Sequence, residues 1–446
     1  MKTRVAFVSL GCDKNLVDSE VMLGLINEAG YEIIQDEQEA DVLVINTCAF
    51  IHDAKQESIE NILELAEYKK TGNCKALIVA GCLGQRYHNE ILTEMPEIDA
   101  IVGTLAYDKI VQVIQKTLSG DKVVCLEDIN KKEIEGAPRI ITTVGHYEFL
   151  KIAEGCYNHC TYCIIPKLRG SFRSKSMDSL VGEAEILVKN GVKELIIVAQ
   201  DVTSYGVDFN GEYELPQLLR RLCKIEDLKW IRLLYCYPER ISDELINTIK
   251  TEDKICKYID MPLQHINDEI LKKMGRNTTK DKIVKLITKI RLEIPDITLR
   301  TTFIVGFPGE SKQNIKELRE FIEETQFDRL GIFTYSEEED TPAALLKPKV
   351  STKEKERRKT ELMQVQENIV ERKATGLVGK VLEVVIEGKL QDEDVYMGRT
   401  YRDTPDVDGL VFLNSDKELM VGEFVQVRIT ESSGYDLVGE INFNTK

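Results

Sequence analysis

The chain has 446 residues, 43 % hydrophobic and 30 % charged, with a formal net charge of −17 from 59 basic and 76 acidic side chains. At roughly 150 residues per domain this length implies two or three domains. The acidic balance argues against broad contact with nucleic acid, whose phosphates are gripped by clustered Lys and Arg.

The opening "RVAFVSLG" reads as a first strand, because its apolar run is too short for a signal peptide. No apolar run reaches the ~18 residues of a membrane helix, so a cytoplasmic protein is expected. Eleven cysteines in a reducing compartment point to metal ligation or catalysis rather than to a disulfide framework.

Residues 1–130 alternate strand-length apolar runs ("RVAFVSLG", "DVLVINT", "KALIVAG", "DAIVG") with helical segments such as "AKQESIENILELAEYKK". That alternation predicts an α/β domain on a parallel sheet with helices on both faces. Residues 140–372 repeat the theme with six strand candidates: "FLKIAEG", "ELIIVAQ", "WIRLLYC", "YIDMPLQ", "LRTTFIVG" and "RLGIFTYS". Six β/α units are two short of a closed eightfold barrel, which predicts a partial (β/α)6 barrel with one side open for a large substrate. The charged segment "STKEKERRKTELMQVQENIVERKA" predicts an exposed helix leading out of it. Residues 374–446 read as short strands with Gly-containing turns, which predicts a small antiparallel β-barrel. From Gly376 onward it carries 7 Lys or Arg against 14 Asp or Glu, a net −7.

Two groups of cysteines carry the chemistry. Cys156, Cys160 and Cys163 lie in "EGCYNHCTYC", directly after the first barrel strand, where barrel enzymes place their active sites. Three thiolates fall one short of a closed zinc or iron–sulfur site. On a four-iron cubane they leave one iron open, whereas a zinc knuckle would need His159 as its fourth ligand, in an awkward turn beside Cys160. Cys12, Cys48 and Cys82 each lie just beyond a strand of the first domain, along one edge of a parallel sheet where α/β ligand sites form. A single buried cysteine is ordinary core, but three in the same structural position predict a second three-cysteine site. Cys74, Cys125, Cys223, Cys236 and Cys256 show no such grouping and read as core.

The C-x3-C-x2-C spacing with Tyr162 before its third cysteine resembles the radical S-adenosylmethionine (SAM) superfamily. That resemblance implies a 4Fe–4S cluster whose open iron chelates SAM, and cleavage of SAM to a 5′-deoxyadenosyl radical. The backbone around Tyr162 would contact the adenine. Gln200 and Asp201 end the second barrel strand, where they meet cofactor or substrate or else cap the next helix. Gly306 and Gly309 in "TTFIVGFPGE" permit close backbone approach to a ligand or else serve a plain strand-to-helix turn. His265 reads as structural or as a substrate contact. Of Lys167, Arg169, Arg173 and Lys175 in "PKLRGSFRSK", one or two meet the carboxylate of SAM or an acidic substrate group, or else all lie on a solvated loop.

An N-terminal three-cysteine domain, a radical SAM barrel and a C-terminal barrel like the TRAM domain together resemble the methylthiotransferase family over essentially the whole chain. Membership implies two 4Fe–4S clusters, SAM as methyl donor and radical source, and a sulfur donor bound at the auxiliary cluster on Cys12, Cys48 and Cys82. "SLGCDKNLVDSE", "CIIPKLRGSFRS" and "VAQDVTSYG" are similar to the branch that modifies the β-carbon of an aspartate in ribosomal protein S-twelve. Asp13 departs from the Pro usual there, which predicts a looser loop around Cys12. The acidic C-terminal domain suits recognition of a basic ribosomal protein or the small ribosomal subunit better than tRNA. The expected partners are that substrate and an electron donor such as flavodoxin or ferredoxin, with no membrane and no direct nucleic-acid binding. The alternatives are methylthiolation of a tRNA adenosine beside the anticodon and a non-catalytic metal-binding ribosome adaptor.

Overall fold

The computed structural model describes residues 2–391, 394–415 and 417–442. The N-terminal domain runs β1 (Arg4–Ser9), α1 (Asp13–Glu28), β2 (Glu32–Ile34), β3 (Val42–Thr47), α2 (His52–Thr71), β4 (Ala76–Gly81), α3 (Cys82–Glu94), β5 (Ala100–Val102), α4 (Ile110–Leu118) and β6 (Val123–Cys125). Its sheet has the order β2-β1-β3-β4-β5-β6 and every pairing is parallel. Strands β3 and β4 are buried along their whole length, as apolar runs sandwiched between helices must be. Met22 and Ile26 of α1 pack with Val113 and Ile114 of α4 on one face, while Ile62 and Leu65 of α2 pack with Leu83 and Ile91 of α3 on the other.

The central domain comprises β7 (Tyr147–Lys151), β8 (Ala153–Glu154), α5 (Ile165–Arg169), β9 (Arg173–Ser174), α6 (Met177–Lys189), β10 (Glu194–Val198), α7 (Val207–Asn210), α8 (Leu215–Leu222), β11 (Trp230–Leu233), α9 (Asp243–Thr251), β12 (Ile255–Asp260), α10 (Asp268–Lys273), α11 (Lys280–Glu293), β13 (Thr298–Val305), α12 (Lys312–Thr325), β14 (Arg329–Thr334) and α13 (Thr352–Thr375). Its six long strands form an open, all-parallel sheet in the order β14-β13-β12-β11-β10-β7. Leu195 and Ile197 face the helices. Ile196 and Val198, on the alternate positions, face inward. Helix α13 is not the exposed connector that its charge suggests. Leu362, Ile369 and Val370 are buried, and the Gln366 amide donates to the Phe327 carbonyl.

The C-terminal domain is a closed barrel of β15 (Val381–Lys389), β16 (Val395–Thr400), β17 (Val411–Asn414), β18 (Phe424–Ser433) and β19 (Asp436–Ile441). It is mixed rather than antiparallel, because β17 and β19 pair in parallel where the sheet closes on itself. The last four residues of the expected domain 374–446 lie outside the described residues.

This small barrel covers part of the hollow that the sequence leaves open. Val385 and Phe424 pack against the inward-facing Ile196, Val198, Trp230 and Tyr258. The Glu194 carboxylate joins Arg232 of the central domain to Arg399 of the C-terminal one, both at 2.7 Å and fully buried. The loop after β16 adds Asp406 to the Tyr147 hydroxyl (3.0 Å) and Asp408 to the Tyr258 hydroxyl (2.8 Å).

Removing one partner of a buried ion pair typically costs about 3–5 kcal/mol. Glu194→Ala therefore lowers the midpoint of chemical unfolding. The chain's single tryptophan, Trp230, reports it, because its ring lies 4.8 Å from Phe424 across the interface. An unchanged midpoint contradicts the docking role of this carboxylate.

Candidate metal centre and its setting

Cys12, Cys48 and Cys82 follow β1, β3 and β4, three neighbouring strands of one sheet. Cys12 is the N-cap of α1 and Cys82 opens α3. The preceding glycines make that convergence sterically possible. Gly11 has φ +92°, and a Cβ there would lie 2.9 Å from Cys48 Cβ. Gly81 has φ +87°, and its Cβ would lie 2.2 Å from Asn46 Oδ1. Asn15 ties the loops together: its Nδ2 donates to the carbonyls of Leu10 (2.9 Å) and Thr47 (3.0 Å), each just before a cysteine-bearing turn. Asp13 does not loosen its loop. Its carboxylate accepts from the Tyr235 hydroxyl at 3.2 Å and pairs with Lys14 at 2.9 Å.

Cys156, Cys160 and Cys163 lie on the loop after β8, at the C-terminal end of the barrel's first strand. The backbone N–H of Asn158 donates to Cys156 Sγ (3.3 Å), and the Asn158 side chain is held by Asp201 (2.9 Å). Cys160 Sγ and the Tyr237 hydroxyl are 3.5 Å apart. The Arg276 guanidinium lies over the Tyr237 ring, 3.7 Å from its centroid. His159 is exposed.

The two metal readings differ in the sulfur spacing they need. Zn–S bonds of about 2.3 Å in a tetrahedron bring thiolates to about 3.8 Å from one another. Among the described residues, neither triad has its three sulfurs within 4.8 Å of one another. A cubane takes each thiolate at a separate corner and does not need them that close. The group with ligand atoms that close is Asp18, Glu133 and Glu154, and the Lys151 ammonium already bonds to all three.

The other expected residues divide. Tyr162 packs against a cluster containing Ile270, Met274 and Phe307. The Gln200 Nε2 donates to Glu154 (2.5 Å), while its buried Oε1 lacks a partner. A Cβ on Gly306 would meet Lys355, and one on Gly309 would meet Lys273, so their close approach in this structure is to protein side chains. His265 is buried, and its Nδ1 accepts from the backbone N–H of Ile266 and Asn267 (2.9 and 3.0 Å), a structural role. Arg169 is no part of a solvated loop: it is 2 % exposed and bonded to Asp18, Glu154 and Asn15. The five ungrouped cysteines are free and lie outside both triads. Asn15, Tyr235, Tyr237 and Arg276 carry no sequence signal for these roles, because each acts on at least one partner 30 or more residues away.

Comparison with known proteins places this geometry. Residues 4–103 match the uncharacterized protein family UPF0004, residues 150–322 the radical SAM superfamily and residues 378–441 the TRAM domain. The chain is 55 % identical to the ribosomal protein uS12 methylthiotransferase RimO of Lachnoclostridium phytofermentans, over 98 % of this chain and 99 % of that one. The chain belongs to the RimO family. RimO proteins of a Thermoanaerobacter species and of Clostridioides difficile are each 50 % identical to it over 98 % of this chain, covering 99 % and 98 % of their own length. Among solved structures, the radical SAM methyltransferase TsrM of Kitasatospora setae shares the fold at 14 % identity and TM-score 0.57, over 77 % of each chain. Radical SAM membership carries with it a 4Fe–4S cluster and SAM.

Burial pushes the Cys48 thiol up to about 12, helped by Cys82 beside it, and the Cys156 thiol up to about 11. Cys82 and Cys163 are also raised, chiefly by burial. Thiols with pKa above the solution pH carry their protons in the metal-free protein and lose them on ligation. Reconstitution with iron and sulfide should therefore release protons and gain in yield from pH 7 to pH 9. A yield flat across that range contradicts the assignment. Iron should be about eight atoms per chain with both sites filled, and about four in Cys82→Ala. Zinc after anaerobic purification contradicts it.

Proposed function

We propose that the chain transfers a methylthio group to the β-carbon of an aspartate in small-subunit ribosomal protein uS12. Full-length likeness at 50–55 % identity to proteins named for that reaction carries the reading. In this reading Cys156, Cys160 and Cys163 hold the radical SAM cluster, and Cys12, Cys48 and Cys82 hold the auxiliary one. When bound, the first group supplies the electron for reductive cleavage of SAM, and the second supplies the sulfur.

The chain's own residues provide the setting. The Tyr237 hydroxyl meets the Cys160 sulfur, and Arg276 holds the Tyr237 ring. The buried Gln200 Oε1 is a free acceptor for an ammonium or hydroxyl of the cofactor. The backbone around Tyr162 would contact the adenine, whereas Gly306 and Gly309 approach Lys355 and Lys273 and serve as strand-to-helix turns. The net −7 of the C-terminal segment favours approach of a basic ribosomal protein over that of RNA. A flavodoxin or ferredoxin is the class of electron donor that suits such a cluster.

Anaerobic incubation of full-length enzyme with uS12, SAM, sulfide and reductant should yield uS12 with methylthio on one aspartate, located by mass spectrometry. Cys156→Ala should abolish both deoxyadenosine release and transfer. Cys48→Ala should retain deoxyadenosine release and lose transfer. Unmodified uS12, with methylthio instead missing from the tRNA nucleosides of a deletion strain, contradicts the reading.

A further inference from the structure

Arg169 occupies a junction that the reaction as described does not use. It ends α5, six residues after Cys163, so it belongs to the radical SAM domain. Its guanidinium nevertheless lies inside the N-terminal site. Nη2 is 3.7 Å from Cys82 Sγ and 2.5 Å from Asn15 Oδ1. Nη1 is 2.6 Å from Asp18 Oδ2 and 2.8 Å from Glu154 Oε2. Asn15 anchors the turns before Cys12 and Cys48, and Glu154 lies two residues before Cys156. One side chain thus touches a ligand of one triad and, through single neighbours, the loops of the rest.

The chemistry of such a contact is specific. Arginine stays charged in proteins, and its planar fork donates in two directions at once. Hydrogen bonds to the sulfurs are among the levers that set the potential of an iron–sulfur cluster, together with net charge and solvent exposure. An N–H donor and a fixed positive charge beside a thiolate both favour the reduced, more negative cluster, the more so away from water.

We infer that Arg169 is a positioning residue for the auxiliary site: it donates an N–H to the Cys82 thiolate, holds that cluster's reduction potential up, and fixes the N-terminal triad against the radical SAM triad. The inference rests on Cys12, Cys48 and Cys82 being cluster ligands. A purely structural ion pair would be served equally by lysine, which still reaches Asp18 and Glu154. Lysine's single ammonium lacks the fork that spans Asn15 and Cys82 together.

The test uses the full-length protein with Cys156→Ala, Cys160→Ala and Cys163→Ala, so that only the auxiliary cluster is present. The protein is labelled with heavy-nitrogen arginine, reduced, and measured by pulsed electron paramagnetic resonance and by potentiometric titration. The expected result is a nitrogen coupling from the label that disappears in Arg169→Lys, with a reduction potential lower in Arg169→Lys at an unchanged iron content. A loaded cluster that shows no label coupling overturns the inference. So does an Arg169→Lys cluster that titrates at the same potential as its parent. Should Arg169→Lys fail to fold, the coupling in the parent protein decides alone. Absence of iron in the parent, where about four atoms are expected, overturns the ligand reading itself, and is distinguishable because it needs no change at Arg169.

Discussion

Two buried cations, Lys151 and Arg169, hold the N-terminal domain against the barrel, and both cysteine triads take their positions from that contact. Lys151 comes from β7 and meets Asp18 of α1, Glu133 of the connecting segment and Glu154 before the radical SAM loop. Arg169 meets Asp18 and Glu154 from the other side. Taking such charges out of water costs several kcal/mol per ion, so the cluster persists only because its carboxylates and cations satisfy one another. Burial alone would raise the Glu154 carboxyl. Arg169 and Lys151 instead hold it below the usual carboxylate range. A third cation repeats the device: Arg139 bonds Glu20 of α1 at 2.6 Å and Glu148 of β7 at 3.0 Å.

This seam has a geometric consequence for the chemistry. Tyr235 and Tyr237 follow β11 and are two residues apart, so their Cα atoms lie within about 7 Å. The Tyr235 hydroxyl reaches Asp13, next to Cys12, and the Tyr237 hydroxyl reaches Cys160. One strand end therefore reaches a sulfur of one triad and the residue beside Cys12 of the other. Tyr235 adopts φ +59°, uncommon for a bulky residue and found where surrounding structure over-determines the backbone. The C-terminal barrel packs on the inward face of the same sheet through Trp230, Tyr258 and the Glu194 ion pairs.

Much of this was legible in the sequence, for physical reasons. Runs such as "DVLVINT" and "KALIVAG" become strands because both their faces are covered, and that leaves an unbroken apolar signature. The cysteines after those runs inherit a common sheet edge. Strands β2 and β6 lie at the two sheet edges and are partly exposed, so they lack the unbroken apolar signature that even the three-residue β5 carries. The parallel closure of β17 on β19 was hidden because the sequence signals hairpins, and this pairing is not one. Neither reading of Arg169, solvated loop or carboxylate partner of cofactor or substrate, reaches its place between domains, because its partners Asn15 and Cys82 lie 154 and 87 residues away. The glycines before Cys12 and Cys82 did carry a signal, since a residue forced to positive φ beside a ligand reads as a packed turn.

The central claim of the proposed function is that each triad holds a cluster and that the two clusters lie close enough to act in one reaction. Electron paramagnetic resonance of the fully reduced, doubly loaded enzyme tests this most directly. Two clusters joined through one strand end should show a spin–spin interaction that is absent when either triad is replaced by alanine. A spectrum equal to the sum of the two singly loaded variants would contradict the account.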